Sequence, residues 1–287
     1  MIFQPLSQNI PGMGQVIDPQ AFQSGQVDQQ NEQACAYAVE SGKGCQHSNQ
    51  ESPNTQSVGQ VTVGQNKTAH TGDANRNNNL KLACEAINGV ILEPGETFDY
   101  NTVVGKRTEE KGYKPAGTYS GTKLIDTVGG GICQVSSTLY YACLKGNLKI
   151  VERWAHRFAP SYIPLGMDAT VSWGGPDFRF KNNTNYPIRI EATADGGTVN
   201  VSLVGTDEKD YYVELQYEVL ATYGYDTTFQ TMVAGNSDGY RDGDFIIQPH
   251  TGYSVKTYRC KYNKETKELI SKDDEDASYY NKCDAVV

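Results

Sequence analysis

Residues 128–146, VGGGICQVSSTLYYACLKG, place three consecutive glycines and one isoleucine before a cysteine that opens a stretch of apolar periodicity. Apolar residues behind Cys133 recur at helical spacing, and Gly146 stands where a helix would end, so a helix is predicted to begin at the thiol. The glycines permit backbone angles closed to other residues and a close approach of another chain. Helix N-termini favour negative charge and therefore the thiolate. The segment predicts either a reactive cysteine or a tight turn into a core helix with an inert one.

The chain is acidic and rather polar. It has 287 residues with a formal net charge of −9 and 38% hydrophobic residues. Nucleic-acid binding needs a basic stripe, so we expect no nucleic-acid partner. No stretch has the composition of a targeting signal or of a membrane span. If the protein is exported, we expect its signal or membrane anchor to have been removed.

The seven cysteines show no CxxC spacing and no neighbouring pair of histidines, which disfavours a zinc site. In an extracellular chain an odd number of cysteines leaves one thiol free after three disulfides. Cys35 and Cys45 are close enough in sequence for a local bridge. Cys260 lies on a predicted strand, and its natural partner is Cys283 near the end of the chain.

The pattern along the chain predicts an α+β class. Residues 1–66 are rich in Gln, Asn, Ser and Gly, which predicts a largely irregular arm. The segment 71–89 has a cap residue, one apolar face and a final glycine, as a helix requires. Residues 186–205 alternate around Asp-Gly-Gly and predict a β-hairpin. Further alternating strands at 211–220 and 254–263 predict a β-rich C-terminal portion.

His156 and Asp168, which follow the Cys133 helix in the sequence, complete a candidate catalytic cluster. His156 follows one short apolar strand, and Asp168 stands at the edge of a second predicted strand. Papain-like and transglutaminase-like thiol enzymes use this order, in which the histidine reaches the helix tip and the carboxylate orients it. The alternatives are a surface histidine beside Arg153 and Arg157, and an aspartate that merely belongs to a turn.

The stretch from about residue 70 to 205 resembles the VanW domain family. The segments that carry the resemblance stand in the family's order: ANRNNNLKLACEAING, ILEPGETFDYNTVVGKRTEEKGYKPAG, GGGICQVSSTLYYA, IVERWAHRFAPSYIPLGMDATV and DFRFKNNTNYPIRI. The glycine-rich block is the most specific of them. The resemblance implies a VanW-like catalytic domain over 67–206 followed by a β-rich extension over 207–287, whereas the arm over 1–66 is predicted from composition alone. It also implies a thiol-enzyme-like core with the cysteine at a helix N-terminus packed on an antiparallel sheet.

Some VanW-domain proteins are L,D-transpeptidases that make 3–3 cross-links in peptidoglycan with the cysteine of this block. The resemblance therefore implies that Cys133 is the nucleophile, His156 its acid–base partner and Asp168 the orienting carboxylate. It implies an extracellular, wall- or membrane-associated protein whose partners are tetrapeptide stems. This chemistry needs no metal or organic cofactor.

Three further residues are candidates for substrate or oxyanion contacts. We expect the backbone N–H groups of Cys133 and Gly131 to hold an oxyanion. We expect Gln134 and Arg76 to contact substrate carboxylates or the oxyanion region. Arg76 can equally be a surface residue of its helix. If the chain is exported, bridges Cys35–Cys45, Cys84–Cys143 and Cys260–Cys283 would leave Cys133 free, although core burial explains the second pair equally well.

Two other functions remain open at the level of sequence. The first is a non-catalytic cell-wall-binding module whose cysteine is incidental. The second is a related thiol endopeptidase or carboxypeptidase of peptidoglycan, with the same acyl-enzyme chemistry.

Overall fold

The computed structural model describes residues 61–70, 73–231 and 243–287, which mix helices with a larger share of strands. The helices are α1 (Ala74–Ile87), α2 (Tyr100–Val104) and α3 (Cys133–Lys145), with a 3-10 turn at Glu109–Lys111. The strands are β1 (Val61–Ala69), β2 (Ile91–Leu92), β3 (Thr97–Asp99), β4 (Pro115–Ser120), β5 (Lys123–Val128), β6 (Lys149–Glu152), β7 (Arg179–Lys181), β8 (Ile188–Asp195), β9 (Thr198–Gly205), β10 (Tyr211–Tyr223), β11 (Thr227–Thr228), β12 (Gly252–Asn263), β13 (Leu269–Asp274), β14 (Ser278–Tyr280) and β15 (Ala285–Val286). The α+β class predicted from the sequence is confirmed.

Both long helices begin and end close to the predicted positions. In α1 the side chain of Asp73 accepts a hydrogen bond from the backbone N–H of Arg76 at 2.8 Å, as an N-cap residue does. Gly89 follows the helix with a φ of 82°, which favours glycine. Helix α3 begins at Cys133, as the glycine-rich block predicts.

A four-stranded antiparallel sheet in the order β1–β9–β8–β2 carries both helices on one face. The predicted hairpin is confirmed as β8 and β9, which turn through Gly196 and Gly197, both with positive φ. The buried apolar faces of α1, α3 and this sheet form one core. The predicted packing of α3 on an antiparallel sheet is therefore confirmed.

The start of β1 corrects the predicted arm. Composition predicts an irregular segment up to residue 66, but residues 61–66 belong to β1 and pair with β9. The ladder with β9 supplies the hydrogen bonds of these residues, and such tertiary pairing leaves little signal in local composition. The part of the arm before residue 61 lies outside the described residues.

Two smaller sheets connect this core to the glycine-rich block. Strands β3, β7 and β6 form one antiparallel sheet, and β4 pairs with β5 in a hairpin. The β4–β5 hairpin ends at Val128 and leads directly into the three glycines. It thereby fixes the approach of the chain to the N-terminus of α3.

The C-terminal strands pack against the preceding portion. Strands β10, β12 and β13 form an antiparallel sheet that β14 extends along β12. Lys145 donates to the carbonyl of Val213 at 2.6 Å, and Arg259 donates to the carbonyl of Leu148 at 2.6 Å. The described residues belong to one compact unit. Contacts such as these therefore join the two sides of the domain boundary predicted at residue 206.

The predicted Cys260–Cys283 disulfide is wrong. Both thiols are free and buried. Cys283 pairs with His250, just before β12, whereas Cys260 lies eight residues past Gly252, the first residue of that strand. Eight residues of strand span roughly 26 Å, far beyond the Cα separation that a disulfide allows.

The other cysteine pairs have different outcomes. Cys84 and Cys143 are free and almost fully buried in the core. The alternative of core burial is therefore confirmed for this pair, and the disulfide is not formed. Cys35 and Cys45 lie outside the described residues. None of the helices in the described ranges is both long enough and apolar enough to cross a membrane.

We predict that Gly64→Ala lowers stability, because β1 passes very close to the end of α3 at this residue. A Cβ on Gly64 would meet the carbonyl oxygen of Ala142 and lie 2.7 Å from the backbone N of Gly146. Backbone atoms cannot swing aside as side chains do, so the expected loss in the free energy of unfolding is about 1–3 kcal/mol. Gly224→Ala, which meets nothing within 4 Å, is the control. Equal denaturant midpoints for the two variants would contradict this packing.

Candidate active site

Cys133 occupies the first position of α3, with its side chain partly exposed. The thiol lies beside the backbone of Val171, with Sγ 3.4 Å from the carbonyl oxygen and 3.5 Å from the nitrogen. The strand predicted at 169–173 does not form, and Thr170 donates its N–H to the carbonyl of Trp154 at 2.8 Å. This segment therefore brings the chain from Asp168 directly past the tip of α3.

The structure brings Cys133, His156 and Asp168 together. His156 Nδ1 lies 2.6 Å from Asp168 Oδ2, and the same oxygen accepts the backbone N–H of His156 at 2.7 Å. The imidazole also lies close enough to the Cys133 thiol for each group to shift the pKa of the other. Because Asp168 engages Nδ1, the other ring nitrogen, Nε2, is the one that serves the thiol.

Asp168 is fully buried and is held from several sides. Arg153 donates to Oδ1 from Nη2 at 3.0 Å and to the backbone carbonyl of Asp168 from Nε at 2.6 Å. The hydroxyl of Tyr280 donates to Oδ1 and accepts the N–H of Gly166 at 2.7 Å. A buried carboxylate requires such pairing to stay ionised.

The charges of the cluster follow from these contacts. Burial alone would raise the pKa of Asp168, but the bonds from His156, Arg153 and Tyr280 lower it to about 2. Burial opposes the charged form of His156, yet Asp168 and Cys133 raise the pKa of the imidazole to about 9. Cys133 is likewise opposed by burial, and His156, Val171 N–H and a nearby arginine bring its pKa below the usual value. Deprotonation of Cys133 and protonation of His156 thus favour each other in this cluster.

Tyr162 is a member of this site that the sequence pattern does not single out. Its hydroxyl lies 3.5 Å from His156 Nε2 and 3.5 Å from the hydroxyl of Ser137. Ser137 in turn donates to the carbonyl of Cys133 at 2.7 Å. Tyr162 lies within the quoted segment 150–171, but its tertiary contacts are what identify it.

The predicted substrate residue Gln134 is engaged inside the protein. It is almost fully buried, and its amide nitrogen donates to the hydroxyl of Thr68 at 3.0 Å and to the carbonyl of Ala69 at 2.9 Å. Its amide oxygen accepts a hydrogen bond from Arg76 Nη2 at 2.9 Å. Gln134 therefore positions Arg76 beside the site. The Arg76 guanidinium lies against Gly131, whose Cβ, if present, would be 2.8 Å from Nη1.

The three glycines are required by close contacts within the chain. A Cβ on Gly130 would meet the backbone carbonyl of Ala116 on β4. Gly129 has a φ of 83°, and a Cβ there would lie 2.8 Å from the Cβ of Arg107; Gly131 has a φ of 99°. Because these positions carry no side chains, the β4–β5 hairpin, Arg107 and Arg76 can pack closely around the start of α3.

The backbone at the helix tip offers a donor for an oxyanion. The N–H of Gln134 bonds the carbonyl of Gly131 at 3.0 Å, and that of Val135 bonds the carbonyl of Ile132 at 2.9 Å. Among the described residues the N–H of Cys133 donates to no backbone carbonyl, as expected for the first residue of a helix. No group of three or more His, Cys, Asp or Glu in the described ranges is arranged to hold a metal ion.

Fold and site together define an α+β domain with a Cys–His–Asp cluster at a helix N-terminus. The family model described as "VanW like protein" matches residues 75–204, so this part of the chain is similar to that family. The match includes Cys133, His156 and Asp168 but ends well before Tyr280.

Two curated proteins are similar to this part of the chain. "Uncharacterized protein YoaR" of Bacillus subtilis is 46% identical over 153 residues, which cover 53% of this chain and 49% of that protein. "Vancomycin B-type resistance protein VanW" of Enterococcus faecalis is 35% identical over 122 residues, covering 41% of this chain and 44% of that protein. The chain spans about half the length of these curated relatives. No solved structure matches it.

We predict that Tyr280→Phe slows the alkylation of Cys133 by iodoacetamide about tenfold near neutral pH. Hydrogen bonds to charged groups are worth about 1.5–3 kcal/mol, and loss of this one lets the Asp168 carboxylate rotate away from the imidazole. The pKa of the imidazole falls, so the imidazolium stabilises the thiolate less. The pH below which alkylation slows therefore moves upward. Tyr279→Phe is the control, because Tyr279 is 68% exposed on the same strand. Identical profiles for both variants would show that Tyr280 does not position Asp168.

Proposed function

We propose that this chain is an L,D-transpeptidase that forms 3–3 cross-links in peptidoglycan by cysteine acyl transfer. The observation that carries the proposal is the contact of a partly exposed, pKa-lowered Cys133 with His156, whose Nδ1 is fixed by buried Asp168. Such a cluster is an activated nucleophile with an oriented acid–base partner. Its nearest functional context comes from the Enterococcus faecalis relative, whose name refers to vancomycin resistance.

In the first half-reaction the Cys133 thiolate attacks the carbonyl carbon of the third, L-configured residue of a tetrapeptide stem. A carbon–sulfur bond forms, and the carbonyl oxygen becomes an oxyanion that the N–H of Cys133 stabilises. His156 Nε2 then gives its proton to the nitrogen of the terminal D-alanine as the carbon–nitrogen bond breaks. The products are a thioester on Cys133, free D-alanine and neutral His156.

In the second half-reaction the amine of another stem attacks the thioester. His156 takes the proton of the attacking nitrogen, and the carbon–sulfur bond breaks to return the thiolate. The net change is one new amide bond for the one that was broken, so no external co-reactant is required. Water in place of the amine gives a carboxypeptidase. The proposal implies an extracellular protein whose partners are tetrapeptide stems.

The direct test incubates the protein with purified disaccharide-tetrapeptide and follows the products by mass spectrometry. We expect a dimer whose mass is that of two monomers less one D-alanine, together with an acyl adduct on Cys133. Cys133→Ala should give neither product, because it removes the nucleophile while leaving α3 intact. Tripeptide without dimer would identify a carboxypeptidase instead. Dimer formation by Cys133→Ala would contradict the mechanism.

We predict that His156→Ala reduces the rate of Cys133 acylation by roughly two to four orders of magnitude, the usual contribution of a positioned acid–base group. Asp168→Asn should slow acylation as well but leave alkylation of Cys133 partly intact, because it disturbs the imidazole without removing it. His250→Ala is the matched control, since its ring stacks on Phe158 at 4.2 Å. Parental acylation rates in His156→Ala would show that another group serves the thiol.

A further inference from the structure

The hydroxyl of Tyr162 lies at the reactive end of the Cys–His–Asp cluster. It is 3.5 Å from Nε2 of His156, the ring nitrogen that faces the thiol, and the two rings meet edge to face with centroids 6.4 Å apart. The same hydroxyl is 3.5 Å from Ser137, which stands one turn after Cys133 on α3 and donates to the carbonyl of Cys133 at 2.7 Å. Tyr162 therefore lies between the imidazole and the first turn of the helix that carries the thiol.

The proton of this hydroxyl has no close acceptor in the part of the chain that the structure describes. Strong hydrogen bonds between hydroxyl groups are about 2.5–3.0 Å long, so the contact with Ser137 is a weak one. The Ser137 oxygen also already accepts the N–H of Ala169 at 3.0 Å. A protonated imidazole donates from both nitrogens, so His156 cannot accept this proton while it is charged. The O–H group of Tyr162 is therefore free to donate to another partner.

Tyr162 keeps its proton under the conditions in which His156 titrates. Burial, followed by the negative charges of Cys133 and Asp168, raises the pKa of Tyr162 well above its usual value. A phenol that stays neutral in this way is not a base and does not compete with His156 for proton transfer. It is a neutral hydrogen-bond donor beside the nucleophile, in surroundings where negative charge develops during acyl transfer.

Acyl transfer needs such donors, because attack of the thiolate leaves a negative charge on the carbonyl oxygen of the substrate. Enzymes stabilise this oxyanion with preorganised N–H and O–H groups, and tyrosine is among the side chains that serve. The N–H of Cys133 is one donor. The N–H groups of Gln134 and Val135 are already bonded to carbonyls at the start of α3, and the side-chain amide of Gln134 donates to β1. A side chain from outside α3 can therefore add a donor that the next two residues of the helix do not offer.

We propose that Tyr162 is a further catalytic residue, whose hydroxyl donates a hydrogen bond to the oxyanion formed when Cys133 attacks its acyl substrate. This inference rests on the proposed acyl transfer and adds a group that acts on the reacting oxygen. The phenol keeps its proton throughout, so no bond to hydrogen breaks at Tyr162. The same donor serves both half-reactions, because formation and resolution of the thioester each pass through an oxyanion.

The test compares acylation of Cys133 with its alkylation in the variant Tyr162→Phe, which keeps the ring and removes only the donor. Acylation by the disaccharide-tetrapeptide forms an oxyanion, whereas iodoacetamide reacts by displacement at a saturated carbon and forms none. We expect acylation to slow by about 100-fold or more, the usual loss for one oxyanion donor. The rate of alkylation and its pH dependence should stay at the wild-type values, which also shows that the variant is folded with its thiol intact.

Tyr186→Phe is the matched control, because the hydroxyl of Tyr186 donates to Glu208 at 2.6 Å, outside the cluster. It should acylate and alkylate at wild-type rates. Wild-type acylation in Tyr162→Phe would overturn the role of Tyr162 and leave the oxyanion to backbone groups alone. Equal losses of acylation and alkylation in Tyr162→Phe would also overturn it, because Tyr162 would then act only by positioning His156.

A second acyl donor separates failure of this role from failure of the proposed function. p-Nitrophenyl acetate acylates a thiolate through the same kind of oxyanion and requires no recognition of a peptide. If the tetrapeptide does not acylate the wild-type protein, the transpeptidase proposal is wrong, and Tyr162 is tested with the ester alone. We expect Tyr162→Phe to slow the release of p-nitrophenolate by Cys133 while alkylation is unchanged. Equal rates of release in the wild type and Tyr162→Phe would overturn the oxyanion role on its own.

Discussion

The buried carboxylate of Asp168 is the interaction on which the candidate site depends. A fully buried charge is tolerated only when its partners satisfy it, and here both side-chain oxygens and the backbone carbonyl are engaged. Arg153 and Tyr280 hold one side of the carboxylate, which leaves the other side to fix His156. Because the imidazole is fixed in this way, its pKa is raised and it carries a proton beside the Cys133 thiol. Helix α3 therefore needs to supply only part of the stabilisation of the thiolate.

The same carboxylate links the part of the chain that matches the VanW family model to the C-terminal strands. Tyr280 reaches Asp168 from β14, and the hydroxyl of Ser278 accepts a hydrogen bond from Arg153 at 2.7 Å. These contacts lie beyond the residues that match the family, yet they complete the surroundings of the cluster. The C-terminal strands are therefore part of the support of the site, and their sequence sets how rigidly the carboxylate is held.

Local sequence predicts the parts of this structure whose cause is local. Caps, glycines and periodicity locate both long helices and the β8–β9 hairpin, and the order of Cys133, His156 and Asp168 predicts their contact. Tyr280 is not predictable in this way, because its role arises from a contact made across the fold. The disulfide expected at Cys260 fails for the same reason: closeness to the chain end says nothing about where on a long strand the partner lies.

The central claim is that His156, fixed by Asp168, lowers the pKa of the Cys133 thiol and forms an ion pair with the thiolate. The most direct measurement is the far-ultraviolet absorbance of the thiolate as a function of pH, taken as the difference between the wild-type protein and Cys133→Ser. We expect thiolate absorbance that persists below the usual thiol pKa of about 8.5 and disappears in a single acid transition. In His156→Ala that transition should move to higher pH. A wild-type transition at or above pH 8.5, unchanged in His156→Ala, would contradict the ion pair.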